Sequence, residues 1–327
     1  MSSSASADAV VLIGFGPTSR AALDSLLGSF RVIGLVRDRD DEVAAHARSS
    51  GVPVAILTSV PEISTHVGGL GPDGVVVSSY NRILSGPVLE LCPFVNVHYS
   101  PLPAYRGRAN VNWAIINHES HAAVTVHSIV PGLDAGGILA QELVPIGARD
   151  TIGTLYDRLN AVQAEILPTA VQRRLGGDLG APQDESAATY GCTRLPDDGE
   201  VDWSAATRDV DALIRAVGFP YPEAFTFLGL ERLAIIEADP SPGQQVYVGR
   251  IPGRVVGWST TEGWSDVLTG DGVLRVRRIR LGGIEQPAAQ VLKSSHLTLG
   301  LRPVDLLQRI ESLSARLAEL PSNGTQS

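Results

Sequence analysis

Asn96 and His98 stand two residues apart in a short apolar run, Phe94-Val-Asn-Val-His98. Residues two apart on an extended strand share a face, so an amide and an imidazole there could converge on one small substrate. Asp134 follows in the Gly-flanked stretch Pro131-Gly-Leu-Asp-Ala-Gly136, a turn from which a carboxylate can point back at the strand end. A histidine partnered by an aspartate is held in one tautomer and suits general-base work on an amine. An asparagine N–H can donate to a developing oxyanion, worth about 3–4 kcal/mol in a known acyl transfer. No Gly-x-Ser-x-Gly elbow accompanies the three, and neither Cys92 nor Cys192 lies in a catalytic motif. The constellation therefore suits direct acyl transfer without a covalent enzyme intermediate. The bland alternative is a buried structural histidine beside a surface asparagine.

Other chemistry-bearing residues are weaker. Ser100-Pro-Leu-Pro-Ala-Tyr-Arg-Gly-Arg108 combines turn formers with Arg106 and Arg108, which is too irregular for a strand. Gly14-Phe-Gly16 resembles part of a dinucleotide fingerprint, but position 19 is Ser, so a tight strand–helix turn is the better reading. His118 and His121 lack further ligands and read as solvated rather than metal-binding, so no metal is expected. Trp113 could line an acceptor pocket or belong to the core. Arg275, Arg277 and Arg278 read as a solvated face or a salt-bridge cluster. His127 shares the region of His98 only if their strands lie adjacent, and it stays unassigned.

The elements that must carry these residues follow from the hydrophobic pattern. Short apolar runs at Ala9–Ile13, Val32–Val36, Val52–Leu57, Val75–Ser78 and Phe94–His98 alternate with helix-length polar stretches. That alternation predicts an α/β, Rossmann-like, mostly parallel sheet, with Asn96 and His98 at the strand end where such sheets bind ligands. Ala123–Ile129 and Ile138–Pro145 predict a hairpin-like return. A helix starts at Thr151, and Pro168 is expected to kink or break it. Residues 176–186 read as a polar loop or linker.

From Ala224 the chain reads as short strands with glycine turns, a small OB-like open β-barrel. Leu306, Leu307, Ile310, Leu313 and Leu317 mark an amphipathic helix expected to pack on its own chain. The expected organisation is a catalytic domain over 1–190, a linker and helix over 191–222 and the barrel over 223–303. The tail helix and a disordered end would occupy 304–327.

Composition narrows the function classes. The 327 residues include 26 Lys or Arg and 35 Asp or Glu, a net charge of −9, with Lys293 the only lysine. An acidic chain argues against a general nucleic-acid binder. With 44% hydrophobic and 19% charged residues it can bury a substantial core. No run reaches the about 18 apolar residues of a membrane span, and the first residues lack a signal-peptide pattern. With two cysteines far apart, the expectation is a cytoplasmic protein with free thiols.

Asn96-Val-His98, the 100–108 segment, Asn112-Trp113, Val124-Thr-Val-His127 and Leu133-Asp-Ala-Gly136, in this order and spacing, resemble the folate-dependent formyltransferases. That family comprises methionyl-tRNA, glycinamide ribonucleotide and amino-sugar formyltransferases. Tyr80-Asn-Arg-Ile-Leu84, Thr193-Arg-Leu-Pro-Asp-Asp-Gly-Glu-Val-Asp-Trp203 and Pro220-Tyr-Pro-Glu-Ala-Phe225 extend the resemblance over roughly residues 8–300. Tyr105-Arg-Gly-Arg108, Asn112-Trp113 and Asp134-Ala-Gly136 resemble the amino-sugar members, such as the UDP-4-amino-4-deoxy-arabinose formyltransferases.

The resemblance implies 10-formyltetrahydrofolate as formyl donor and no metal. It implies Asn96 as oxyanion donor, His98 as proton acceptor and Asp134 as its orienting partner. It places the pterin against Ile83, Leu84 and the Pro131, Gly132, Leu133, Asp134 turn. Ser100, Tyr105, Arg106 and Trp113 would shape the loop and the acceptor side. Two departures stand out. Arg37-Asp-Arg-Asp-Asp-Glu42 occupies the place of the basic insertion of tRNA-specific members, which argues against a tRNA acceptor. Tyr99 and Pro101 differ from the usual residues around Ser100, which puts the acceptor pocket's shape in doubt.

The function expected is N-formylation of a small-molecule amine, foremost a nucleotide-linked amino sugar. The alternative acceptor is an amino acid, a hydroxylamine or a carrier-bound amine of secondary metabolism. A nucleotide-binding dehydrogenase and a non-catalytic binding module are the readings from other classes. A homodimer is open as the assembly.

Overall fold

The computed structural model describes residues 7–16, 18–84, 86–243 and 245–318. The sequence-predicted disordered end, from 319 on, lies outside the described residues. The chain divides into two compact units, Met1–Arg194 and Leu195–Ser327.

The first unit is a seven-stranded sheet with helices. In chain order it runs β1 (Ala9–Ile13), α1 (Ser19–Leu27), β2 (Arg31–Arg37), α2 (Glu42–Ser49), β3 (Val54–Ile56), α3 (Val60–Leu70), β4 (Gly74–Ser78) and β5 (Phe94–His98). It continues through β6 (Arg106–Gly107), α4 (Asn110–Ile116), β7 (His121–Ser128), β8 (Ile138–Pro145), α5 (Ile152–Leu175) and β9 (Tyr190–Gly191). The strand order is β3-β2-β1-β4-β5-β7-β8. β1 to β5 pair in parallel, whereas β7 and β8 are antiparallel. The continuous apolar runs of β1 and β4 are buried at every position, as central strands covered on both faces require.

Pro168 does not break α5, which runs unbroken for 24 residues from its Thr151 cap. Proline removes the N–H that would bond the carbonyl four residues earlier. That carbonyl belongs to Ala164, and Ser25 Oγ of α1 donates to it at 2.8 Å. The neighbouring helix thus supplies the missing donor.

The 176–186 stretch is not a free linker. Ile138 and Ala181 exchange backbone hydrogen bonds at 2.8 and 2.9 Å, and β9 pairs with β6. This segment therefore runs alongside both loops that carry candidate site residues.

The second unit holds α6 (Thr207–Ala216), then β10 (Ala224–Leu228), β11 (Glu231–Pro240), β12 (Val255–Ser259), β13 (Trp264–Leu268), β14 (Val273–Leu281) and β15 (Ile284–Pro287). Its antiparallel sheet has the order β10-β11-β14-β13-β12, with β15 on β14. Isolated bridges from Leu299 to Leu228 and from Thr298 to Arg254 tie one short segment near both edges, as an open barrel requires. Arg275, Arg277 and Arg278 all lie on β14 in ion pairs, with Asp266, Asp239 and Glu285. They form the salt-bridge cluster anticipated as one of two readings.

Trp203 is buried at 4% exposure, and its Nε1 donates to Thr226 Oγ1 at 2.9 Å. Trp203→Ala is expected to destabilise this unit by about 3–5 kcal/mol through the cavity and the orphaned hydroxyl. Urea denaturation of the full chain would show it as a transition at lower denaturant.

The last helix, α7 (Pro303–Ala318), departs from expectation. Leu306, Leu307, Ile310 and Leu313 are 40–59% exposed rather than packed. The barrel sheet is covered instead by α6, whose Val210 and Ile214 are buried. Among the described residues no helix is long and apolar enough to cross a membrane. Cys92 and Cys192 are both free.

Candidate active site

Asn96 and His98 leave the C-terminal end of β5 on one face. β7 runs antiparallel beside it and places His127 directly opposite Asn96 and Thr125 opposite His98. Directly opposed residues on neighbouring strands point to the same side of a sheet. His127, left unassigned from sequence, is therefore the third group of the cluster. After β7 the chain turns through Asp134, which sits at φ 49°, a left-handed conformation rare for a residue with a side chain. The two glycines that follow are forced by close packing. A Cβ on Gly136 would stand 1.7 Å from the Ser128 carbonyl, and one on Gly137 would stand 2.3 Å from that of Leu179.

The Asp134 carboxylate is the hub. Oδ2 accepts from the Gly107 N–H at 2.8 Å and lies 3.6 Å from His98 Nδ1. Oδ1 accepts from Asn96 Nδ2 at 3.4 Å and lies 3.7 Å from His127 Nε2. His127 has a fixed tautomer. Its Nδ1 is 2.9 Å from the Ser128 carbonyl, which can only accept, so Nδ1 carries the proton. Nε2 is then a lone pair, and it accepts from Asn96 Nδ2 at 3.1 Å.

The two acceptors of Asn96 stand 3.7 Å apart, close to their distances from the amide nitrogen, so they crowd one side of it. Between them they fix the orientation of the amide.

His98 is 7% exposed and has a partner ready for either tautomer. Its Nε2 lies 3.0 Å from the Tyr105 carbonyl, which calls for a proton on that nitrogen. The same Nε2 lies 2.8 Å from Asn110 Nδ2, which calls for a lone pair. With the proton on Nε2, Nδ1 is free to accept one on the side of Asp134. With the proton on Nδ1, Asn110 satisfies Nε2. Asn110, buried at the start of α4, was not among the sequence candidates. Its only signal was an asparagine opening a helix straight after the Arg-Gly-Arg turn.

Burial pulls the His127 pKa down to about 4, and the charge of nearby His98 adds to the effect. The folded value lies below that of an unfolded histidine, about 6.5, so the unfolded chain takes up a proton that the folded one refuses. Stability from this residue is complete above pH 6.5 and falls as the pH drops toward 4, by about 2–3 kcal/mol. His127→Gln is expected to flatten that acid slope, read as the free energy of urea unfolding at pH 4.5 and pH 7.

Several sequence candidates sit elsewhere. Arg106 is held from the 176–191 segment. Its guanidinium is 2% exposed and held by Glu185 at 2.7 and 2.8 Å. Tyr99 points away from the loop and donates to Asn160 Oδ1 at 2.7 Å on α5, so its bulk shapes no pocket beside Ser100. Ser100 Oγ donates to the Ala104 carbonyl at 2.9 Å and holds the loop. Tyr105 contributes its carbonyl to His98, while its hydroxyl donates to Glu119 at 2.6 Å. Trp113 is not core: its Nε1 donates to the Cys192 carbonyl at 2.7 Å and Arg194 lies over its ring at 5.2 Å.

Leu84 is buried in the apolar cluster that also holds Ile129, while Ile83 is 75% exposed. Val130 and Leu133, on the turn itself, are 38% and 49% exposed. Among the described residues no group of three His, Cys, Asp or Glu could hold a metal ion.

The dinucleotide alternative fails on geometry. The Arg37 guanidinium is buried against the Gly14 and Gly16 carbonyls and Ser19, and it pairs with Asp41. A cation and its aspartate thus fill the turn that would have to receive a pyrophosphate.

An amide, an imidazole and a carboxylate thus converge at the C-terminal edge of the parallel strands, an arrangement chemically suited to direct group transfer. Residues 39–171 match the formyl transferase family model, and residues 195–296 match the model of the formyl transferase C-terminal domain. The chain belongs to the formyl transferase family.

HypX from Aquifex aeolicus in complex with tetrahydrofolic acid is similar at 18% identity and a TM-score of 0.63. That match covers 88% of this chain and 47% of HypX, so the chain spans about half the length of that protein. An N-formyltransferase from Helicobacter canadensis, in complex with folinic acid and dTDP-3-aminofucose, is similar at 18% identity and a TM-score of 0.62. There the match covers 82% of this chain and 97% of the other. A candidate sugar N-formyltransferase from Mycobacterium tuberculosis follows at 19% identity and a TM-score of 0.54, covering 67% and 91%. At these identities the likeness is one of fold.

Proposed function

We propose that the protein transfers a formyl group from 10-formyltetrahydrofolate to the primary amine of a small molecule, a nucleotide-linked amino sugar. The observation that carries this reading is the convergence of Asn96, His98 and Asp134 on one spot.

The surroundings fit a folate donor. Ile83, Val130 and Leu133 offer exposed apolar surface beside backbone polar groups, the combination a flat heteroaromatic ring needs. The donor supplies an electrophilic formyl carbon. Asn96 Nδ2 donates to the formyl oxygen as negative charge grows there, a stabilisation made only in the transition state. His98 Nδ1 takes the proton of the attacking amine while Nε2–H donates to the Tyr105 carbonyl. Asp134, fixed by Gly107 N–H, steadies the charged imidazole, and the proton taken from the amine is returned to the donor nitrogen as its bond to the formyl carbon breaks.

An amino-sugar acceptor is favoured by the fold shared with the Helicobacter enzyme, which was captured with a dTDP-amino sugar. A tRNA acceptor is disfavoured by the 37–42 segment. Arg37 and Arg39 there are paired with Asp41 and Asp38, and Arg48 nearby with Asp40, leaving little free positive charge for phosphates.

The test mixes purified protein with 10-formyltetrahydrofolate and a panel of UDP- and dTDP-amino sugars, amino acids, hydroxyornithine and Met-tRNA. Mass spectrometry reads the acceptor for one added formyl group. A sugar-nucleotide product is expected. Transfer only to an amino acid or hydroxylamine would move the acceptor to secondary metabolism. Failure to bind the folate would overturn the reading as a whole.

A further inference from the structure

The 176–191 segment lies between the two stretches that match the family models, and its Gln183 reaches the Asp134 turn. Its Nε2 donates to two carbonyls, those of Asp134 and Gly136, at 2.7 Å each. Its Oε1 accepts from Arg106 Nε and Nη2 at 3.2 and 2.8 Å. The amide orientation is fixed by its partners, since carbonyls demand a donor and a guanidinium demands an acceptor. Arg106 is in turn gripped by Glu185, two residues further along the same segment. A charge-assisted chain thus runs from Glu185 through Arg106 and Gln183 to the backbone on either side of the Asp134 turn.

The turn needs such an anchor. Asp134 occupies a left-handed conformation that costs of order 1 kcal/mol or more for a residue with a side chain. Its carboxylate must meet Gly107 N–H, Asn96 and the side of His98 at once. Arg106 also precedes Gly107, so one guanidinium links Gln183 to the very peptide whose N–H holds Asp134 Oδ2.

We infer that Gln183 is a positioning residue for the catalytic carboxylate, acting through its two donated hydrogen bonds to the Asp134 turn, with Arg106 and Glu185 as its anchor. For its kinetic expression this rests on the proposed formyl transfer. The geometric part, that Gln183 sets the contact between Asp134 and His98, stands apart from any substrate.

The decisive variant is Gln183→Glu. Glutamate keeps the volume and can still accept from Arg106, but it cannot donate to the two carbonyls. A residue serving only as packing or as partner to Arg106 would tolerate the change. A positioning residue would not.

The expected result is a fall in kcat of about 10–30-fold in Gln183→Glu and Gln183→Ala alike, with the KM for the acceptor within about twofold of the parent. The melting temperature of Gln183→Glu should stay near that of the parent. In both variants the ¹⁵N resonance of His98 Nδ1, assigned by comparison with His98→Gln, should shift as its contact with Asp134 loosens. Gln183→Glu with parental kcat and an unmoved His98 resonance would overturn the inference. If the parent formylates no amine, the proposed function fails, and the resonance comparison alone still decides the role of Gln183.

Discussion

Asn96→Ala is expected to lower kcat by about 10²–10³-fold while leaving the KM for the formyl donor within a few-fold. His127 Nε2 and Asp134 Oδ1 fix the orientation of the amide beside His98. Charge on the formyl oxygen grows only as the amine attacks, so the lost donor raises the barrier without weakening binding of the ground state. A second effect runs through stability. The buried His127 lone pair would lose its donor, at a cost of about 1–3 kcal/mol. Single-turnover rates at saturating donor, measured well below the melting temperature, separate the two. A single-turnover rate within about threefold of the parent would remove Asn96 from the transition state.

Asp134→Asn is expected to cost more, about 10³-fold in kcat, because one carboxylate serves four neighbours. Gly107 N–H and Asn96 Nδ2 both need an acceptor from it. An asparagine can offer only one oxygen, so its own N–H₂ must face a donor or the turn must shift. His98 Nδ1 meanwhile loses the carboxylate oxygen that stands 3.6 Å away. The rate should then depend more steeply on the basicity of the attacking amine, since the enzyme no longer shares its proton as fully. A series of acceptor amines of graded basicity, compared in parent and variant, checks this. Retention of more than about a tenth of the parental rate would show that His98 works without the carboxylate.

Both expectations concern residues that local sequence singled out, and the reason is geometric. Asn96 and His98 share a face because a strand has a period of two, and a run of Phe and Val marks that strand without any knowledge of its neighbours. Asp134 is legible because glycines on both sides of it signal a turn between two strands. The parallel sheet follows from apolar runs separated by helical lengths, and the later β-rich unit follows from short strands with glycine turns.

Residues whose roles depend on a partner distant in sequence were not legible. His127 joins the cluster through the register of β5 with β7, which periodicity leaves open. Pro168 looks like a helix breaker until Ser25 arrives from another helix to satisfy Ala164. Arg106 reads only as a shaper of the loop, and the fold shows that Glu185 and Gln183 are what hold it. The exposed face of α7 is a similar case, since an amphipathic pattern specifies a face but not what covers it.

The sequence by itself thus determined the strand, the turn and the three groups on them, since backbone periodicity and glycine turns are local properties. The tertiary structure alone decided which side chains orient those groups. His127, Asn110 and Gln183 act across 12 to 49 residues of chain, and such hydrogen bonds exist only once packing has brought their ends together.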